Sequence, residues 1–247
     1  MSEAVETFLK FWGQFEAHGR RYLHPADGNF SNLDDLELSL LPIPFVGNLC
    51  EAEAVILMLN PGLNADDVAW EQETTFRAAV EHNLLQYFPE NAFPFFYLDP
   101  QFSRHPGAGY WAESRKIRGT RDQQKLRSVI HALAQRDGVC VAAARAHVAR
   151  KVAVVQLVPY HSAQLKHRSV FGNLPSVCQA RAFVHGLVRE QSKLVIAARS
   201  VHEWGFADPQ NNERPVVYQA AQGASASLTM NSEGGRALFA RLSPVMA

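Results

Sequence analysis

Four stretches of the chain are predominantly apolar where a half-exposed strand would alternate: 54–59 (AVILML), 152–158 (VAVVQLV), 193–198 (KLVIAA) and 214–220 (RPVVYQA). Strands without alternation are buried on both faces, as in a parallel sheet covered by helices. Helical spacing fills much of the rest. Val5, Phe8, Leu9, Trp12 and Phe15 mark an amphipathic helix across the first twenty residues. Leu126, Ile130 and Leu133 mark a second over 122–135, and Val177, Ala180, Phe183, Val184, Leu187 and Val188 a third within 173–191. A last helix is expected from Glu233 to Leu242. The stretch LPIPFVGNL (41–49) is held extended by its prolines, since each disfavours helix at the residue before it.

Strands alternating with helices predict an α/β fold, a three-layer α/β/α sandwich on a mainly parallel four-stranded sheet. No repeat, low-complexity tract or long linker divides the chain, so residues 1–247 read as one domain. Residues 1–40 form its N-terminal helix and a loop, YLHPADGNFSNLDD, broken by Pro, Gly, Asn and Asp. Residues 68–121 are an aromatic-rich insertion after the first strand. Long irregular segments in compact domains are often functional.

Composition narrows the function classes. With 47% hydrophobic and 19% charged residues the chain is ordinary globular protein, not a disordered one. Its 24 basic and 24 acidic side chains cancel, so any nucleic-acid binding must come from a local basic surface. Cys50, Cys140 and Cys178 stand far apart, which excludes a Cys-only zinc or iron–sulfur site and a disulfide framework. The acidic N-terminus lacks the basic start and apolar core of a signal peptide, and no apolar run approaches a membrane span. A cytoplasmic, monomeric protein without membrane contact is expected.

In an open parallel sheet, ligands sit outside the carboxyl ends of the strands. The first strand ends in Asn60-Pro61-Gly62 and the second in Pro159-Tyr160-His161-Ser162. Proline stiffens both exits, and Gly62 permits close backbone approach to a ligand. Taken singly, Asn60 is also a good turn residue that bonds its own backbone, and His161 a hydrogen-bonded strand-end histidine. Their common placement points to a site.

Met58-Leu59-Asn60-Pro61-Gly62 resembles the G-I-N-P-G motif of the mismatch-specific uracil/thymine-DNA glycosylases, members of the uracil-DNA glycosylase superfamily. The resemblance extends in strand and helix order from about Leu41 to the end of the chain. It implies an α/β/α sandwich that removes a damaged, deaminated or modified base from DNA, with no metal or other cofactor. It gives Asn60 the role of holding the water that attacks the sugar, with His161 donating a hydrogen bond to the base or a phosphate. Leu59, Pro61, Gly62 and Tyr160 then line the base pocket, and a ring from Phe95, Phe96 or Tyr97 stacks the flipped base. Other aromatics of the insertion, among them Tyr110 and Trp111, are candidates for that contact as well.

The segment RKIRGTRDQQKLR (115–127) carries six basic residues and one acid. It offers Arg115, Lys116, Arg118 and Arg121 to the DNA backbone, where positive charge within reach suffices. Two departures from the family pattern stand out. Met58 replaces its glycine, and after the last strand AQGASASLT (221–229) replaces the second motif, H-P-S or N-P-S. Ser225 and Ser227 are the polar residues left there to contact DNA.

Two other readings accompany the glycosylase. A non-catalytic nucleic-acid or nucleotide binding module on the same fold accounts for the missing second motif. A hydrolase using Ser162 or Ser225 with His161 has no G-x-S-x-G elbow, and neighbouring side chains on an extended chain point to opposite faces. A lyase step would need a lysine nucleophile, for which Lys166 is the remote candidate. The base is not specified by the sequence. Uracil, mispaired thymine, hypoxanthine and modified pyrimidines differ in a few polar contacts, for which Asn64, Gln156 and Asn173 are equal candidates.

Overall fold

Alternate side chains of the central strand leave the sheet on opposite sides, and this division organises the molecule. The computed structural model describes residues 2–17, 19, 21–31, 33–112, 125–166, 172–206, 215–218 and 228–245. Its sheet contains β1 (Phe45–Val46), β2 (Ala54–Met58), β3 (Val152–Gln156), β4 (Leu194–Ala197) and β5 (Val216–Val217), in the order β1-β3-β2-β4-β5. From β2, Ala54, Ile56 and Met58 join one apolar core, while Val55 and Leu57 join the other. The same division runs through β3 and β4, so each strand is buried on both faces.

One face is covered by α1 (Glu3–Trp12) and α7 (Pro175–Glu190), joined where the Phe8 and Phe183 rings stack at 4.4 Å. The other is covered by α3 (Thr74–Leu85), α5 (Arg127–Asp137), α6 (Val141–Lys151) and α8 (Glu233–Arg241). Two short helices, α2 (Asp67–Gln72) and α4 (Pro106–Trp111), stand at the carboxyl end of the sheet. The α/β fold with helices on both faces is therefore present.

The expected four-stranded, mainly parallel sheet needs correction: among the described residues it has five strands and is mixed. β3, β2, β4 and β5 run parallel, but the proline-flanked segment at Phe45–Val46 pairs antiparallel with β3. Its prolines confine it to an edge, and Pro44 there accepts a hydrogen bond from the Gln156 N–H at 2.9 Å. The buried Asn83 amide pins the strand from α3, accepting from Gly47 N–H at 2.9 Å and donating to the Phe45 carbonyl at 2.7 Å.

The insertion at 68–121 is also more regular than expected. Its described part folds into α2, α3, two 3₁₀ turns (96–98 and 100–102) and α4. Helix α6 was likewise unanticipated. Its buried face includes Ala144, Val148 and Ala149, and alanine carries too little hydrophobicity to mark a stripe. The N-terminal helix stops at Trp12, and Gly13 donates its N–H to the Leu9 carbonyl as the cap. None of the described helices is long and apolar enough to cross a membrane.

Candidate active site

Parallel pairing brings the ends of β2, β3 and β4 to one side. Met58 lies opposite Gln156, and Leu57 opposite Ala197, so the three chains leave the sheet together. They open onto a cleft of about 400 Å³. Asn60, Pro61 and Gly62 line it after β2, His161 and Ser162 after β3, and Arg199 after β4. The insertion supplies the facing wall through Tyr97, His105, Tyr110 and Trp111, and Asp67 lines the cleft just before it. Thus the residues singled out at two strand exits do meet in one concavity.

The orientation of Asn60 follows from its partner. Its Nδ2 donates to the Ser162 carbonyl at 3.2 Å. A carbonyl can only accept, so the NH₂ end must face it, and Oδ1 is left as an acceptor. His161 is tied to the same loop, with Nδ1 3.0 Å from the Gly62 carbonyl. That acceptor requires the proton on Nδ1. Gly62 adopts φ +77°, a left-handed conformation open to glycine, and this lets the loop turn its carbonyl to the histidine. The His161 ring is buried, at 6% exposure, and burial lowers its pKa below the ordinary histidine value. Asp67, Glu37 and the carbonyls of Gly62 and Leu41 oppose that shift without overcoming it.

On the facing wall, Tyr97 packs closely against the start of α4. A methyl group at Gly107 would fall 2.4 Å from the ring, so only glycine fits there. His105 precedes it as the helix cap, its Nδ1 accepting the Gly107 N–H at 2.9 Å. Its proton is therefore on Nε2, which stands 3.9 Å from Asp67 Oδ1. At that distance Asp67 does not hold the ring charged. Burial beneath the stacked Phe76 ring dominates and lowers the His105 pKa to about 3. Burial also pushes the Tyr97 hydroxyl above its usual value and Tyr110 up to about 12, so both phenols are neutral at physiological pH.

Three polar atoms in the cleft lining stand out because they are buried and lack a hydrogen-bond partner: Tyr110 Oη, Gln156 Oε1 and Ser162 Oγ. Native structures rarely leave such groups unsatisfied. The Ser162 hydroxyl makes no hydrogen bond to His161, whose Nδ1 is directed to the Gly62 carbonyl instead. At the far end, Arg199 lines the cleft and acts electrostatically on Lys125, whose ammonium lies 5.0 Å from the Tyr110 ring centroid. Burial, then the neighbouring Arg199 charge, lowers the Lys125 pKa to about 8.

Other expected site residues lie elsewhere. Phe95 and Phe96 are buried in the core under the sheet, leaving Tyr97 as the ring of that run that reaches the cleft. Leu59 packs into the opposite core. Tyr160 is also on that side, donating to Asp27 Oδ2 at 2.5 Å and accepting the His24 N–H at 3.1 Å. Lys166 is exposed and outside the cleft lining. Arg115, Lys116, Arg118, Arg121, Ser225 and Ser227 fall outside the described residues. Met58 lines the cleft, where the glycosylase motif has glycine.

Sequence reasoning missed Asp67, His105 and Arg199. Arg199 had a usable signal, its place just after the third strand. His105-Pro106-Gly107 had another, a polar cap followed by proline at a helix start. Asp67 had none, since a buried carboxylate and an exposed one look alike in a loop. Among the described residues, no group of three or more His, Cys, Asp or Glu side chains is placed to hold a metal ion. A scan against protein-family models and searches of curated proteins and of solved structures found no match to this chain.

Proposed function

We propose that this protein is a DNA glycosylase, hydrolysing the N-glycosidic bond of a damaged, deaminated or modified base flipped into the cleft. The observation that carries this reading is the fixed Asn60 amide, which presents Oδ1 at the mouth of a cleft walled by Tyr97, Tyr110 and Trp111. An oriented amide oxygen can accept a hydrogen bond from water and position it beneath a sugar carbon, which supplies the orientation part of catalysis. The aromatic wall suits a planar base. Gln156, with a buried acceptor lacking a partner, is suited to read a donor on the base edge. Arg199 at the rim suits a phosphate. His161, neutral with its proton on Nδ1, serves the site as an orienting group for the Gly62 loop rather than as a cation.

One observation favours a non-catalytic nucleotide or nucleic-acid binding module instead. Met58 occupies space in the cleft that the glycosylase motif leaves to glycine. A base-release assay separates the two. Oligonucleotides carrying deaminated and modified bases, single- and double-stranded, are incubated with the protein, and abasic sites are revealed by alkaline cleavage. Cleavage is expected from the wild type and reduced at least about 100-fold in Asn60→Ala. Stability of that variant should change by no more than about 1 kcal/mol, because Asn60 is half-exposed and makes one side-chain hydrogen bond. Oligonucleotide binding without base release from any substrate would establish the binding module.

A further inference from the structure

An amide is too weak a base to take a proton from water, yet the cleft contains a carboxylate. Asp67 is the acid of its lining and begins α2, directly after the loop that carries Asn60. It is 7% exposed. Its Oδ2 is occupied, accepting from the Asn64 backbone N–H at 2.6 Å and from Asn64 Nδ2 at 3.3 Å. Oδ1 faces the protonated Nε2 of neutral His105 across 3.9 Å, beyond a direct hydrogen bond and suited to one mediated by water. His161 and Tyr97 both feel the Asp67 charge from the cleft walls. The neighbouring Glu71 is committed elsewhere, accepting the Leu41 N–H at 3.1 Å and facing Arg77 at 3.5 Å.

We propose that Asp67 is a catalytic carboxylate of this cleft, stabilising the cationic sugar and accepting the proton of the attacking water that Asn60 positions. The role rests on the glycosylase reading. In the step, the C1′–N bond breaks and its electron pair leaves with the base. The water oxygen bonds to C1′, its proton passes to Asp67, and the departing base anion is protonated by solvent. Asp67 then returns its proton to solvent. Negative charge placed where cationic sugar develops favours the transition state over the ground state.

Paired binding measurements test this, using duplexes with a cationic pyrrolidine abasic analogue or the neutral tetrahydrofuran analogue. The wild type should bind the cationic duplex at least about tenfold more tightly, as a partial transition-state mimic. Asp67→Asn should lose that preference, keep tetrahydrofuran affinity within about threefold, and release base about 100-fold or more slowly. Should that variant fail to fold, Asp67→Ala with added formate replaces it, and base release restored by formate supports the role. Equal binding of both duplexes by a wild type that releases base overturns the proposal, as does full base release by Asp67→Asn; in both cases the glycosylase reading stands. No base release and no binding of either duplex by the wild type overturns both.

Discussion

Two buried clusters, one on each side of the sheet, contain the same three residue types and behave in opposite ways. Behind the sheet, Tyr160 donates to Asp27 Oδ2, the Ser176 N–H reaches Asp27 Oδ1 at 3.0 Å, and the His24 N–H reaches the tyrosine oxygen. His24 is itself used at both nitrogens, by the Phe11 carbonyl at 3.0 Å and the Ala26 N–H at 3.1 Å. In the cleft, Tyr97, Asp67 and His105 are also buried, though slightly less completely, and the His105–Asp67 pair stops short of a hydrogen bond. Gln156 Oε1 and Ser162 Oγ, nearby in the same lining, have no partner. Burial of polar groups is tolerated when they are paired. The paired Asp27 carboxylate therefore holds structure together, whereas the unpaired atoms beside a concavity are open to the donors and acceptors of solvent or a ligand.

The largest effect that could break this contrast is on stability. Asp27→Ala removes the acceptor of both Tyr160 and the Ser176 N–H. Buried donors left in this way cost on the order of 3–5 kcal/mol together. Denaturant melts should show that loss, while base release per folded molecule stays at the wild-type level. The equivalent change in the open cluster should do the reverse. Gln156→Leu swaps an unpaired acceptor for an apolar side chain of similar volume, so stability should hold or rise slightly. Discrimination between bases with and without the matching donor should fall by about 1–3 kcal/mol, measured as the ratio of base-release rates on the two substrates. If Gln156→Leu unfolds the protein, the open cluster is structural and the contrast fails.

Between these lies the aromatic wall. Gly107→Ala places a methyl group against the Tyr97 ring and must displace the ring or the start of α4. Loss of base binding by about tenfold is expected, the scale of one disturbed stacking contact of ~1–3 kcal/mol. Fluorescence titration with oligonucleotide checks it. Tyr97→Phe, which keeps the stacking surface, should bind like the wild type.

These two clusters were unequally legible in the sequence, for physical reasons. Periodicity located β2, β3, β4 and the larger helices, because burial on both faces leaves continuous apolar runs. The edge strand Phe45–Val46 escaped, since two residues carry no period and its pairing is fixed by Asn83, distant in sequence. Asn60 and His161 were legible because strand exits in a parallel sheet gather at one side. Phe95, Phe96 and Tyr97 are adjacent and chemically alike, and which ring meets the cleft depends on the small 107 position beneath it. Tyr160 was misplaced for a related reason: it precedes His161 on an extended segment, so its side chain goes to the opposite face. Asp67 and His105 meet only because α2 comes against the residue that caps α4, with Trp70 packed on His105, which no local pattern encodes.

The smallest expected effect sharpens the contrast by pH. Lys125 titrates near 8, because burial and Arg199 make its charge costly in the free protein. An unfolded chain keeps that proton to higher pH, so between about 8 and the ordinary lysine value the unfolded state binds more protons. Stability from this group should therefore rise as pH increases through that window. Anionic ligand bound beside Arg199 acts in the opposite sense, since it favours the charged lysine. Oligonucleotide affinity should fall as pH rises from 7 to 9, by about threefold, the ~0.6 kcal/mol of a solvent-screened charge pair. The Tyr160 network supplies no such dependence, because burial and Asp27 push its phenol far above the same range. Lys125→Met should abolish the pH dependence of affinity and weaken that of stability, to which the half-buried Lys193, its pKa also lowered by burial, contributes as well. Affinity and stability moving in opposite directions with pH, through one side chain, is the signature of a group whose unfavourable charge is stabilised by the ligand. Parallel movement of the two would instead assign Lys125 to the fold alone, and with it the Tyr110 end of the cleft.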